Sequence, residues 1–254
     1  IEIGDETSAA LGTAGLLTQN RTTDGIFRST YTVPQDIIVR AEGGPNQQIK
    51  VIGAINVAGT GVQNDTHRFS GNISLSDDLV VRYQDEASNT RLNPAAAGGG
   101  ATSGNLFGGN RTIALTGNLS GTGRLQTEVI QTGGTVNGSD FDQIITFELA
   151  GNNSAWTGAV QLGNNLVDFD RQHILRAMSG QALGASNNVT LDFNSTLQVG
   201  GNTLNVRNLF VGLPTGSAST NGVYVENAAN APGTLIVNQT TNEIWDVIFR
   251  NGVT

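Results

Sequence analysis

The feature that most constrains this chain is the shortness and the two-residue period of its apolar runs. Hydrophobic side chains alternate at Ile113 and Leu115, at Leu125 and Val129, and at Ile145, Phe147 and Leu149. The pattern resumes at Val189, Leu191 and Phe193, at Leu197 and Val199, at Leu204 and Val206, at Val223 and Val225, and at Leu235 and Val237. Such a period puts the apolar side chains on one face of a strand and the polar ones on the other. Between the runs lie turn formers: Gly43-Gly44-Pro45, Gly133-Gly134, Asn137-Gly138, Asn164-Asn165, Asn187-Asn188, Gly200-Gly201 and Asn221-Gly222. Gly and Asn tolerate the left-handed backbone that tight corners need. The chain is therefore expected to be many short, half-buried strands. One stretch reads differently. In residues 171–182, RQHILRAMSGQA, Ile174, Leu175 and Met178 share a helical face and Gly184 would stop it, which predicts a short helical turn.

Phrases recur. NVAGTG (56–61) returns as NLSGTG (118–123), and FSGNISLSDDLV (69–80) is echoed by WTGAVQLGNNLV (156–167). The offsets are unequal, which disfavours a propeller with its fixed blade length and favours a solenoid whose coils carry insertions at their corners. The expected fold is all-β: a right-handed parallel β-helix with aliphatic side chains inside and rows of Thr, Asn and Ser outside. Coils of about 20 residues would give roughly ten to thirteen turns and a rod about 50–60 Å long. Residues 1–254 read as one solenoid domain. Residues 94–110, PAAAGGGATSGNLFGGN, read as a loop projecting from it. Because the chain opens at Ile1 without Met, it reads as a processed product or part of a longer chain.

Composition narrows the partners. Charged residues are 13% of the chain, against about 25% in an ordinary domain. Glycine supplies 34 of 254 residues, and the net charge is −8. No basic stripe exists for nucleic acid or for an anionic membrane. No run of 18 apolar residues encodes a membrane-spanning helix. Without cysteine there is neither a disulfide framework nor a thiolate metal site.

The stretch FELAGNNSAWTGAVQLGN (147–164) resembles the autotransporter-associated β-strand repeat. Leu149, Gly151, Asn152, Asn153, Trp156, Thr157, Gly158, Val160 and Leu162 carry the likeness. NLSGTGRLQ (118–126) and ALGASNNVTLDFNSTLQVGGNTLNVRNLFVG (182–212) are similar to its flanking steps. The likeness spans about residues 110–212 and is weaker over 50–83. It departs from the pattern at the longer insertion 127–146. It implies a β-helix on a bacterial surface or in secreted material, and it implies no catalytic residues. The amphipathic strands and aromatic girdles of an outer-membrane barrel are missing.

Carboxylates recur in pairs: Asp140 and Asp142, Asp168 and Asp170, Asp77 and Asp78, Asp85 and Glu86. Paired carboxylates suit Ca²⁺ or glycosidic-bond cleavage. An Asp on either side of an inward Phe is also how a solvated outer face reads, and that reading is preferred here. His67 and His173 stand alone, and no nucleophile motif supports a Ser-His-Asp triad. Trp156, Trp245, Phe69 and Tyr83 are read as filling coil corners in preference to stacking on sugars. No catalytic, cofactor or metal site is expected, and no cofactor.

The two ends read as strands and not as polar caps. Ile1–Gly4 alternates, and Trp245, Val247, Ile248 and Phe249 crowd the last segment. Uncapped solenoid ends invite another chain. The expected function is an extracellular structural protein, not an enzyme, that self-associates head-to-tail into a filament, surface layer or matrix. A passenger adhesin binding glycans or a host surface is the alternative. A polysaccharide lyase or hydrolase is third, and a carboxylate cluster beside an Arg in one groove would favour it.

Overall fold

The computed structural model describes residues 1–3, 13–19, 30–41, 49–56, 65–86, 110–132, 143–163, 171–184, 187–192, 195–212, 222–242 and 247–251. These hold twenty strands in three sheets and no helix. All strand pairings are parallel. Sheet A has four strands, and sheets B and C have eight each. The fold opens with β1 (Glu2–Ile3) in sheet A and β2 (Thr13–Gln19) in sheet B. The next coil runs C, A, B through β3 (Thr30–Val33), β4 (Ile37–Val39) and β5 (Ile49–Asn56). The same order repeats in β6 (Thr66–Phe69), β7 (Ile73–Leu75) and β8 (Leu79–Glu86), and in β9 (Asn110–Leu115), β10 (Leu119–Gly121) and β11 (Leu125–Thr132). Later coils use sheets C and B alone. These are β12 (Gln143–Leu149) with β13 (Val160–Leu162), β14 (Arg171–Ala177) with β15 (Asn187–Asp192), and β16 (Ser195–Gln198) with β17 (Thr203–Gly212). β18 (Val223–Glu226) in sheet C and β19 (Thr234–Val237) in sheet B form the next coil, and β20 (Val247–Arg250) adds a last strand to sheet C. The molecule is a parallel β-helix, as the alternation predicts.

The inward faces form columns. In sheet C one column passes through Ile113, Phe147, Leu175, Leu197 and Val225, in register strand over strand. In sheet B, Leu79, Leu125, Val160, Val189 and Leu209 do the same. All of these are buried. Each buried Leu or Val contributes about 1.5–3 kcal/mol relative to exposure, so the columns are the main source of stability. Outside, Thr30, Thr66, Thr112 and Thr146 stand in one row, the ladder of like side chains expected from the sequence.

Coils are fewer and longer than the expected ten to thirteen turns of 20 residues. Hydrogen bonds between equivalent positions of successive coils give spacings of 36, 46 and 34 residues in the first part of the fold. They give 28, 22, 28 and 24 in the second. Sheets B and C are therefore eight strands deep, or about 38 Å at the spacing of paired strands. The early coils are long because they carry a third strand and insertions between sheets B and C. The later ones close through turns such as 199–202, where Gly200 and Gly201 adopt φ of 66° and 73°.

Sheet A ends at β10 for a specific reason. The Leu119 N–H, which a further strand would satisfy with a carbonyl, instead donates to Asn153 Oδ1 at 2.7 Å. Asn153 Nδ2 donates to the Ala182 carbonyl at 2.8 Å. Trp156, fully buried, bridges to Gly121 and donates its indole N–H to the Gly123 carbonyl at 2.9 Å. The Asn-Asn-x-x-Trp segment thus seals the third face with side chains.

The corner between sheets C and A is held by a side-chain ladder. The backbone N–H of Asn72 donates to Asp36 Oδ1 (2.7 Å), that of Asn118 to Asn72 Oδ1 (3.2 Å), and that of Asn152 to Asn118 Oδ1 (2.8 Å). So the stacked unit is SGN, TGN, AGN at residues 70–72, 116–118 and 150–152. The repeated phrases met in the sequence are not coil equivalents. Asn56 pairs in sheet B, opposite Asp85, whereas Asn118 sits at the C–A corner. Residues 57–61 lie outside the described residues. Phe69 ends a strand of sheet C, whereas Trp156 bridges to sheet A.

Two local expectations are overturned. The candidate helix over 171–182 is strand β14 followed by a turn through Gly184. Its inward residues are His173, Leu175 and Ala177, and full pairing with β12 outweighs the local helical spacing. Asn187-Asn188, read as a turn, opens β15.

Candidate functional site

The interior is not purely aliphatic. His67 and His173, isolated in sequence, both point inward and are buried. His67 stacks on Tyr31, with ring centroids 5.5 Å apart and planes 6° apart, and its Nδ1 lies 2.6 Å from Thr18 Oγ1. Asp65 Oδ2 accepts from Arg111 Nη1 at 3.0 Å, and Arg111 lies over the Tyr83 ring. Thr18, His67 and Asp65 superficially resemble a relay. His67 Nε2, however, is 3.5 Å from Asp65 Oδ2, too long to orient an imidazole, and that oxygen is already held by Arg111. The Thr18 hydroxyl also lies 3.0 Å from the Gly53 carbonyl, to which it donates. His173 stacks on Phe147 and faces Thr127 Oγ1 at 3.4 Å. Both the three-sheet coil that holds His67 and the two-sheet coil that holds His173 admit inward polar groups, a point the alternation alone does not reveal. Trp156, Phe69 and Tyr83 are buried, as corner and core fillers should be.

Of the carboxylate pairs, Asp140, Asp142, Asp168 and Asp170 lie outside the described residues, as do Trp245 and residues 94–109. Asp85 and Glu86 end strand β8. Asp77 and Asp78 form the corner between β7 and β8 and border an outer groove of about 350 Å³ with Lys50, Arg124 and Glu128. This matches in composition the carboxylate-and-Arg groove that would favour an enzyme. Its bonding does not, because each carboxylate is engaged. Asp77 takes Lys50 Nζ at 2.6 Å and the Asp78 N–H at 2.7 Å. Asp78 takes the Arg124 backbone N–H at 2.8 Å and its guanidinium at 2.9 Å. Glu128 takes Arg82 at 2.7 Å. The Lys50–Asp77, Arg124–Asp78 and Arg82–Glu128 contacts tie one coil to the next. Among the described residues no group of three or more potential metal ligands exists.

The other candidate is the end of the helix formed by β19 and β20, each the last described strand of its sheet. Among the described residues no strand follows them in either sheet. A groove of about 450 Å³ is lined by Val199, Val225, Leu235 and Phe249. Phe249 is 57% exposed and Ile248 49%, large values for residues whose equivalents one coil earlier, Val225 and Tyr224, are buried or half-buried. One rim is polar. An outer ladder runs Glu148, Arg176, Gln198, Glu226, Arg250, with successive contacts of 3.1, 2.7, 2.8 and 2.7 Å. It finishes with Arg250 held 3.8 Å from the Tyr224 ring centroid. The sequence shows the apolar residues of this segment but not the ladder, whose members are spaced by unequal coil lengths.

Comparison with known proteins finds no matching family model, no matching curated protein and no matching solved structure.

Proposed function

We propose that this chain is an extracellular structural β-solenoid that self-associates end to end into a filament, surface layer or matrix. The observation that carries the reading is the exposed apolar surface of β20, where Ile248 is 49% and Phe249 57% exposed. Among the described residues β19 and β20 are the last strands of their sheets, and they border a groove of about 450 Å³ of mixed apolar and polar lining. A strand of that kind is a template for another chain. Low charge and the likeness of residues 110–212 to autotransporter passenger repeats support a place on a bacterial surface or in secreted material. Electron microscopy of the purified chain across a concentration series tests it. Filaments with an axial repeat near about 38 Å, eight strand spacings, are expected. Short monodisperse rods at every concentration would sink it.

The second reading is a glycan-binding adhesin, favoured by the outer groove at the β7–β8 corner. That groove offers donors and acceptors from Arg124, Gln126 and Asp78 beside the exposed Ile49. A glycan array with Arg124→Ala as the control distinguishes it.

A further inference from the structure

Lys50 is the only lysine of the chain, and it stands where a lysine is least expected. On β5 it shares the inward face with Ile52 and Ala54, and it is 2% exposed. Its Nζ lies 2.6 Å from Asp77 Oδ2, at the corner between β7 and β8, and both residues border the outer groove. Six other described ion pairs are made by arginine, at Arg40, Arg82, Arg111, Arg124, Arg176 and Arg250. Arginine is the better partner for a buried carboxylate, because its guanidinium is less strongly hydrated and its planar fork can hold two oxygens. What lysine has and arginine lacks is an amine that can lose a proton and act as a nucleophile.

The carboxyl that Lys50 meets is held as an acyl acceptor needs to be held. Asp77 Oδ1 accepts the backbone N–H of Asp78 at 2.7 Å, while Oδ2 faces Nζ. One oxygen therefore has a fixed donor, the kind of group that stabilises an oxyanion in acyl transfer, and the other lies against the amine. At the usual angle for such a contact, Cγ stands about 3.5 Å from Nζ, the separation at which held reactants are poised to bond.

We propose that Lys50 and Asp77 condense to an intramolecular isopeptide bond that ties β5 covalently to the β7–β8 corner. The Lys50 ammonium first hands a proton to Asp77 Oδ2. The free amine attacks Cγ, the N–C bond forms, and the carbonyl electron pair moves onto Oδ1, where the Asp78 N–H holds it. A second proton passes from nitrogen to Oδ2, the Cγ–Oδ2 bond breaks, and one water leaves through the groove. An ammonium and a carboxylate thus become an amide and water, with no oxidant, reductant or other reactant. Holding the two groups in one fold supplies the driving force, since effective molarities of well-oriented pairs reach about 10⁵–10⁸ M. The proposal depends on neither functional reading above.

Intact mass spectrometry of the denatured full chain, followed by tryptic mapping, tests it. The mass should fall short of the sequence mass by one water. Trypsin should not cut after Lys50, and a branched peptide should join residues 41–68 to residues 69–82. With no second lysine present, an amine reagent on the denatured chain should label the α-amino group alone. Lys50→Arg keeps the charge and cannot be acylated, so it should show the full mass and be cut after residue 50. The decisive measurement is on the parent chain, so it stands even where a variant fails to fold. Full mass after prolonged incubation of the folded protein, with cleavage after Lys50 and a reactive Lys50 amine, would overturn the proposal and leave an ion pair. Loss of water without the branched peptide would overturn it as well.

Discussion

Trp156 offers the sharpest test of how the third face is closed. Its side chain is fully buried, it bridges to Gly121 where sheet A ends, and its indole N–H holds the Gly123 carbonyl at 2.9 Å. Trp156→Ala removes the ring and leaves a cavity, a loss of about 3–5 kcal/mol. It also strands the Gly123 carbonyl, costing about 1–3 kcal/mol. The two share one site and overlap, so a total of about 4–6 kcal/mol is expected. That is a large part of the roughly 5–15 kcal/mol of a typical domain. Trp156→Phe keeps most of the volume and loses the bond, so about 1–3 kcal/mol is expected. Urea unfolding followed by far-ultraviolet circular dichroism measures both without relying on the fluorophore removed. Because coils touch only their neighbours, amide exchange should accelerate in β10, β11 and β13 and stay unchanged in β18 and β20. An alanine variant within about 1 kcal/mol of the parent would refute the sealing role, since cavity formation alone exceeds that.

Asn118→Asp should be tolerated, since Asp36 plays the same accepting part in the ladder, whereas Asn118→Ala should cost about 0.5–1.5 kcal/mol for the bond lost to Asn152, read from the urea midpoint. Arg111→Met leaves the buried Asp65 carboxylate without its guanidinium, and a loss of about 3–5 kcal/mol is expected in the same assay. Gly117→Ala should destabilise and disturb the corner, because a Cβ there overlaps the Gly71 carbonyl oxygen of the coil beneath; amide exchange at Asn118 reads it. Glu2 is held below the usual carboxylate range first by its hydrogen bond from Arg40 and then by that residue's charge. A depressed folded value means the contribution is present above the unfolded value and is lost as pH falls through the folded one. Titration of Glu2 by nuclear magnetic resonance should show the depression, and Arg40→Ala should erase it.

The strands were legible because alternation is a property of each run by itself. Val189, Leu191, Leu197, Leu204 and Val206 are buried where the pattern puts them. What was not legible depends on which coil lies under which. Coil length varies from 46 to 22 residues, so Asp65 meets Arg111, and Glu148 meets Arg176, across separations that no fixed period reveals. The same variation made the NVAGTG and NLSGTG echo misleading. β14 was misread because RQHILRA satisfies both periods over seven residues, and only the neighbouring strands decide between them. The apolar residues of β20 were legible in the sequence, whereas the exposure of Ile248 and Phe249 required the structure.

Unequal coil lengths also set how the molecule would yield to a pull along its axis. Tension there loads one interstrand ladder at a time, so coils would peel off in succession. An extended residue spans at most about 3.3–3.6 Å. Spacings of 24, 28, 22 and 28 residues would release about 70–100 Å of slack per step, and the 46-residue spacing about 150–165 Å. A single molecule stretched between two beads would therefore write its own coil sequence as a staircase of uneven treads. The direction of peeling could be read from which treads come first.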